Sequence, residues 1–382
     1  MHLTVEHSFP QTREALWPWL VLPERMNAWS LARVESRAPG DDDRPEGVGA
    51  LRTIRVLAAG QRVAQLEEVI IASDYPSRFA YRVVRGPLTL DEHDGAIELE
   101  TRDGGTHLKW TVSAQIAPRI LEPVIAFHLK RQLKESLRRL EQVAAPIDYA
   151  PPPARSFKIL DDVSDRLYLD ARATLEAQRA LATSLKGDGK YWFSRLYVFV
   201  TEEQLRHARS THVEAPEWVL RIIPAFHRYY VQNLDHWIAG DQERTEAHWR
   251  RTFAVMDRAG DNPRETMRGM LLGAKAHIEE DLPRAFADVY LAHFHERASF
   301  ARFRADFLSM GTLFERASQR LLGELPAHWL PPGLSIANRM LTPRARDALL
   351  NQRYDIRHAR REAFERAMRL SVWKTTIPPR SE

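Results

Sequence analysis

The chain of 382 residues contains no cysteine. That excludes disulfides, a thiolate nucleophile and Cys-ligated zinc, and it fits a reducing, cytoplasmic setting, which is the expected location. Long apolar runs are also missing. None approaches the roughly 20 residues that cross a bilayer, so no transmembrane segment is expected. The opening MHLTVEHSFPQ has neither the basic nor the apolar region of a signal peptide, and none is expected. No nucleophile elbow, phosphate loop, dinucleotide fingerprint or zinc-protease motif occurs, an absence that favours binding over catalysis. Neither sign of charge dominates, with 55 Lys and Arg against 51 Asp and Glu. The small basic excess gathers between Arg339 and Lys374. A basic helix there could touch nucleic acid or anionic lipid. No nucleic-acid motif accompanies it, so a solvated helix face is expected and nucleic acid is not an expected partner.

What is present divides in two, as a chain too long for one core should. The first part is organised around Arg119 to Ala145. Ala126, Leu129, Leu133, Leu137, Leu140 and Ala144 recur at steps of three or four, one face of a helix, and Lys130, Arg131, Lys134, Arg138 and Arg139 cover the other. Upstream lie an edge strand from His2 to Phe9 and two short helices. A meander of alternating strands follows, broken around Asp94-Gly95 and turning at Asp103-Gly104-Gly105. An amphipathic helix arriving after a sheet must bury its stripe on that sheet. The expected fold class is therefore α+β: a curved antiparallel sheet gripping a long C-terminal helix, followed by an all-α domain. The expected boundaries are 1–146 for the first domain, 147–155 for a linker in which Pro151, Pro152 and Pro153 hold an extended spacer, and 156–382 for the helical domain.

Strand parity and apolar context select the first domain's candidate ligand-binding residues: Trp29, Glu68, Tyr81, Trp110 and Phe127. His93 is read as a loop residue beside Asp94-Gly95. The local phrases resemble the START-like helix-grip superfamily of polyketide cyclases, aromatase-like and lipid-transfer domains. Those carrying the resemblance are Phe9-Pro10, Trp17, Pro23 to Trp29, Gly47 to Leu51, Glu67-Glu68-Val69 before Asp74-Tyr75-Pro76, and Gly104-Gly105-Thr106 before Trp110. The resemblance implies a cavity for an apolar small molecule or lipid. It implies no reaction, since many such domains only bind.

The helical part holds 10 of the 15 histidines, and GAKAHIEEDLP from Gly273 to Pro283 is its densest constellation. His277 and Asp281 stand four apart and share a helix face. A His and a carboxylate at that spacing can ligate a divalent metal such as zinc, or simply hydrogen-bond. Upstream, His227, Asp235 and His236 sit on an aromatic helix, and His248 and Trp249 on the next. The expected helix starts include Asp261-Asn262-Pro263 and Thr342-Pro343. The phrase GxxAHIxxDLP, with Asp306-Phe307, Tyr197 to Thr201 and Phe226 to Tyr230, resembles a bacterial all-helical family of unknown function over residues 155–325. Lys275 and Glu279 stand where that family's pattern has Asn. There is a fainter likeness to the His-x-x-x-Asp helix of zinc-dependent phospholipase C and P1-type nucleases. Three functions are then open: an apolar-ligand binding protein, a metal-dependent hydrolase centred on His277 and Asp281, or a cyclase or dehydratase using Glu68 and Tyr81 as acid–base groups.

Overall fold

Along Gly105–Ile116 nearly every second side chain is buried, the signature of a strand with one face on a core. It is one of seven strands: β1 (His2–Phe9), β2 (Ala32–Ala38), β3 (Leu51–Ala58), β4 (Gln61–Asp74), β5 (Arg78–Arg85), β6 (Leu90–Arg102) and β7 (Gly105–Ile116). They form one antiparallel sheet in the order β1-β7-β6-β5-β4-β3-β2. These positions come from a computed structural model, which describes residues 1–58, 61–86, 90–116, 118–152, 161–210, 213–260, 262–329 and 354–376. The chain forms two compact units, Met1–Phe157 with Arg297–Ala305, and Lys158–Glu296 with Asp306–Glu382.

The β6–β7 hairpin closes through Asp103 and Gly104, both at positive φ and flanked by the pair Arg102–Gly105. That is the two-residue turn whose twist suits a hairpin. The break expected at Asp94-Gly95 does not occur. β6 runs through it with an irregular register between Asp91 and Asp94. Gly95 serves another purpose: a Cβ there would stand 2.2 Å from Tyr81 Cζ, so the glycine makes room for the ring.

Helices α1 (Arg13–Val21) and α2 (Pro23–Trp29) follow β1. Helix α3 (Glu122–Val143) closes the unit. It buries Leu133, Leu137 and Leu140 in a core with Trp17, Trp29, Phe79 and Leu108. Beyond α3 the chain stays on the same unit: Trp19 Nε1 donates to the Ala145 carbonyl (2.8 Å), and Tyr149 donates to Glu46 (2.7 Å) while lying under Arg44. Of the proline stretch, Pro153 lies outside the described residues.

The segment Arg297–Ala305 is part of this first unit, although the sequence reading assigned it to the helical domain. Ser299 and Arg302 both bond Asp41, and Arg304 donates to the carbonyls of Pro39 (3.0 Å) and Gly49. Gly49, at φ +86°, is required here, because a Cβ would stand 1.9 Å from the Ala301 carbonyl oxygen.

The second unit is helical: α4 (Asp161–Ser184), α5 (Tyr191–His207), α6 (Pro216–Ile238), α7 (Ala247–Ala259), α8 (Pro263–Ala276), a π-helical turn (His277–Asp281), α9 (Leu282–His293), α10 (Arg304–Ser309), through which the chain re-enters this unit, α11 (Gly311–Glu324) and α12 (Ile356–Thr376). Asn262 caps α8 by accepting from Arg264 N (3.0 Å). Asp261, Thr342 and Pro343 lie outside the described residues, as does all of the basic run before Tyr354. The carboxylate of Asp306 receives the backbone N–H groups of Glu214 (2.8 Å) and Ala215 (2.7 Å) as α6 begins. Among the described residues no helix is long and apolar enough to cross a membrane.

Candidate functional site

In the first unit, Trp29, Tyr81 and Trp110 come together. The rings of Trp29 and Trp110 lie edge to face at 6.4 Å, and Trp110 Nε1 donates to the Tyr81 hydroxyl (3.3 Å). Glu68 is buried beside them, but Arg52 Nε (2.9 Å) and Nη2 both donate to one of its oxygens, so it is an ion-paired carboxylate and not a free acid. Burial, with the charge of Glu68, pushes the Tyr81 phenol above its ordinary range. Phe127 does not join them. It is 65% exposed in the first turns of α3, where Val124 is exposed too, as is Ile120 just before the helix. His93, read as a loop residue, is instead a buried strand residue 6.2 Å from the Tyr81 ring, and neither of its ring nitrogens has a partner in the protein.

The second unit gathers more chemistry, and the π turn explains why. Pro283 has no N–H, so the carbonyl of Glu279 four residues back has no helical donor from it. Arg366 Nη1 donates to that carbonyl instead (2.8 Å), and Arg284 Nε donates to the Glu280 carbonyl (3.0 Å). A widened turn results at His277–Asp281. Just upstream, Gly273 allows close packing, since a Cβ would sit 2.7 Å from the Phe193 ring.

Asp281 is fully buried and accepts from four side chains. Oδ1 receives Arg284 Nη2 (2.6 Å) and His248 Nε2 (3.3 Å), and Oδ2 receives Trp249 Nε1 (2.9 Å) and His277 Nδ1 (2.8 Å). Burial alone would raise its pKa. The bonds from His248 and His277 and the charge of Arg284 outweigh burial and hold it well below the usual carboxylate range. Asp281 is therefore ionised and can only accept, so His277 Nδ1 carries the proton. Burial lowers the His277 pKa more than Asp281 raises it, so the ring is neutral. Its Nε2 is then a lone pair, buried and without a partner in the protein.

His277 lines a cavity of about 90 Å³ whose other walls include Phe193, Tyr197, Phe226, Phe314 and Arg360. The imidazole stacks on Phe226 at 3.5 Å and meets the edge of Tyr197 at 4.8 Å. His227 neighbours Tyr197 from the same helix as Phe226. Burial, reinforced by His277, lowers its pKa to about 4. His236 is elsewhere, 3.2 Å from the Arg244 carbonyl.

A metal requires several ligand atoms within reach. Among the described residues one group of three has them within 4.8 Å of one another, Glu246, His248 and Asp281, and His277 is not in it. Arg284 already bonds Glu246 through both terminal nitrogens (2.9 and 2.7 Å) as well as Asp281. His277 and Asp281, singled out in the sequence, hydrogen-bond each other, and Glu246 and Asp281 both hold the Arg284 guanidinium.

Comparison with known proteins adds the following. Over 37% of its length the chain is similar to the protein TTHA0849 from Thermus thermophilus (16% identity, 95% of that chain, TM-score 0.32). Protein MLL2253 from Mesorhizobium loti is also similar (20% identity, 37% of this chain and 95% of that one, TM-score 0.30), as is Ara h 8.0201 (16%, 38% and 97%, TM-score 0.31). No curated protein matches. An all-helical family was expected over residues 155–325; the match found runs further toward the C-terminus. Residues 171–381, more than half of the chain, match the model described as "Family of unknown function (DUF5995)", and the chain belongs to that family.

Proposed function

We propose that the helical unit binds a small apolar molecule in the His277 cavity and that His277 serves as its hydrogen-bond acceptor and base. The observation carrying this reading is the His277 Nε2 lone pair. It is buried and unpartnered at an aromatic-walled cavity, while Nδ1 is tied to an ionised carboxylate. A buried polar atom without a partner costs about 1–3 kcal/mol, which a ligand donor would recover. Proton transfer from an acidic O–H or C–H of the ligand to Nε2 would leave an imidazolium stabilised by Asp281 across 2.8 Å. Packed at protein density, 90 Å³ accepts roughly four to six heavy atoms.

The test uses the full chain with ¹⁵N-labelled histidine. Titration with n-propanol should shift the Nε2 resonance of His277 saturably, and Ala274→Leu, which fills the cavity, should abolish the shift while the circular dichroism spectrum is retained. A folded wild type whose Nε2 resonance does not move discards the reading. Neither metal chemistry nor a hydrolase is needed for it.

A second reading concerns the first unit. The unpartnered nitrogens of buried His93, near Tyr81 and Trp110, favour a hydrophobic small-molecule or lipid site there, of the kind the helix-grip resemblance implies. Saturable binding of an apolar fluorescent probe, weakened by His93→Leu, is its test.

A further inference from the structure

The cavity has a second polar wall. Arg360 of α12 donates Nη2 to the Phe307 carbonyl (3.2 Å) and lies over the Phe307 ring at 4.7 Å. No carboxylate among the described residues pairs with it. Its neighbours Arg357 and Arg366 do have acidic partners, Glu315 and Glu280. Arg360 is therefore a guanidinium with one backbone acceptor on an otherwise largely apolar surface. Burial, and secondarily the charge of Arg357, lower its pKa to about 10, which still leaves it cationic at neutral pH. Arg360 is half-buried, and even partial withdrawal of a cation from water is unfavourable unless an anion joins it. Guanidinium geometry matches a carboxylate through two parallel hydrogen bonds.

We infer that the ligand of this cavity is a short-chain apolar carboxylic acid, bound as its anion, with the carboxylate on Arg360 and the hydrocarbon among Phe193, Tyr197, Phe226 and Phe314. This rests on the reading of the His277 cavity as a ligand site, and it adds the ligand's class. The two polar walls differ in kind. Arg360 only donates, whereas neutral His277 Nε2 only accepts. A carboxylate is thus directed to α12, and the imidazole lone pair is left for an O–H or acidic C–H on the ligand's chain.

The experiment titrates butyrate, butyramide and n-propanol into the full-length chain by isothermal calorimetry at pH 7, using wild type, Arg360→Gln and Arg360→Lys. Wild type should bind butyrate at least tenfold tighter than butyramide. Arg360→Gln should erase that preference while its affinity for butyramide stays within about threefold, which also shows that the cavity is intact. Arg360→Lys should restore part of the preference. Equal binding of butyrate and butyramide by wild type overturns the inference but leaves the cavity reading standing. Failure of all three probes removes the cavity reading and this inference with it. A tenfold preference surviving in Arg360→Gln assigns the anion to another group and overturns the inference.

Discussion

Replacing Asp281 by Asn should destabilise the helical unit by about 3–5 kcal/mol, the usual consequence of removing one charge from a buried network. The amide is nearly isosteric, so cavity formation contributes little and the loss reports on hydrogen bonding and charge. Each carboxylate oxygen accepts two donors: Arg284 and His248 on Oδ1, Trp249 and His277 on Oδ2. An amide has one acceptor oxygen. In one orientation its NH₂ faces Arg284, a cation with no lone pair. In the other it faces Trp249 Nε1, which cannot accept either. His277 can adapt by moving its proton to Nε2, and that change is visible in its ¹⁵N shifts. With roughly 2–4 °C per kcal/mol for a unit of 150–250 residues, the melting temperature should fall by about 6–20 °C. Glu265→Gln is the control. It removes an exposed pair with Arg268 and should cost no more than about 1 kcal/mol. If Asp281→Asn melts within about 1 °C of wild type and His277 keeps its proton on Nδ1, the carboxylate is not the organising group and the derivation of the His277 lone pair collapses.

Four further outcomes are expected. Folded His227, with a pKa of about 4, stays neutral where an unfolded histidine titrates near 6.5, so stability should be flat above pH 7 and fall as pH drops from 6.5 towards 4. At 1.36 kcal/mol per unit this is at most about 3 kcal/mol, and His227→Gln should flatten the slope in urea melts at pH 7 and 4.5. Gly49→Ala, forced against the Ala301 carbonyl at positive φ, should cost about 1–3 kcal/mol and raise amide exchange across Ser299–Phe303; unchanged exchange would separate the segment from Gly49. Gly95→Ala should destabilise the first unit more than Tyr81→Phe, because it displaces the whole ring where Tyr81→Phe removes a single hydrogen bond of about 1 kcal/mol; denaturant titration ranks the two. Excess zinc should leave the wild-type melting temperature and metal content unchanged, since Arg284 occupies Glu246 and Asp281; bound zinc would show that the guanidinium yields.

Much of the fold could be read from side-chain period. The α3 stripe was visible because three- and four-residue steps are independent of what the helix packs on. For the same reason the stripe could not show where packing ends. Leu133, Leu137 and Leu140 are buried and Ala126 and Leu129 only half-buried, whereas Phe127, one position off the stripe, is in solvent. Parity placed Glu68 inside but gave no information on Arg52, its cross-strand neighbour sixteen positions away, and the pairing turns a would-be acid into half of an ion pair. Asp94-Gly95 looked like a turn because Gly in a polar context usually is one. Its role depends on a ring arriving from the adjacent strand, which one-dimensional pattern does not contain.

The site was legible in its residues, since His277, Asp281, His248 and Trp249 all stand out, but not in their convergence on one carboxylate. His277 and Asp281 lie four apart, so their bond is written in the sequence. His248, Trp249 and Arg284 complete the hub, and two of those three arrive from a different helix. The helix that walls the cavity with Phe193 and Tyr197, α5, reads YWFSRLYVFVT, a run dense enough in aromatic and β-branched residues to obscure any helical period. The direction of the imidazole was invisible for a further reason. An ordinary α-turn and a π turn present positions 277 and 281 at different angles, and the carbonyl freed by the missing N–H of Pro283 is met by a guanidinium from Arg366, 87 residues beyond it. The proline is a local signal that can be read in advance. The arginine is not: it comes from α12, the same helix that supplies Arg360 to the cavity, and no local pattern around His277 announces it.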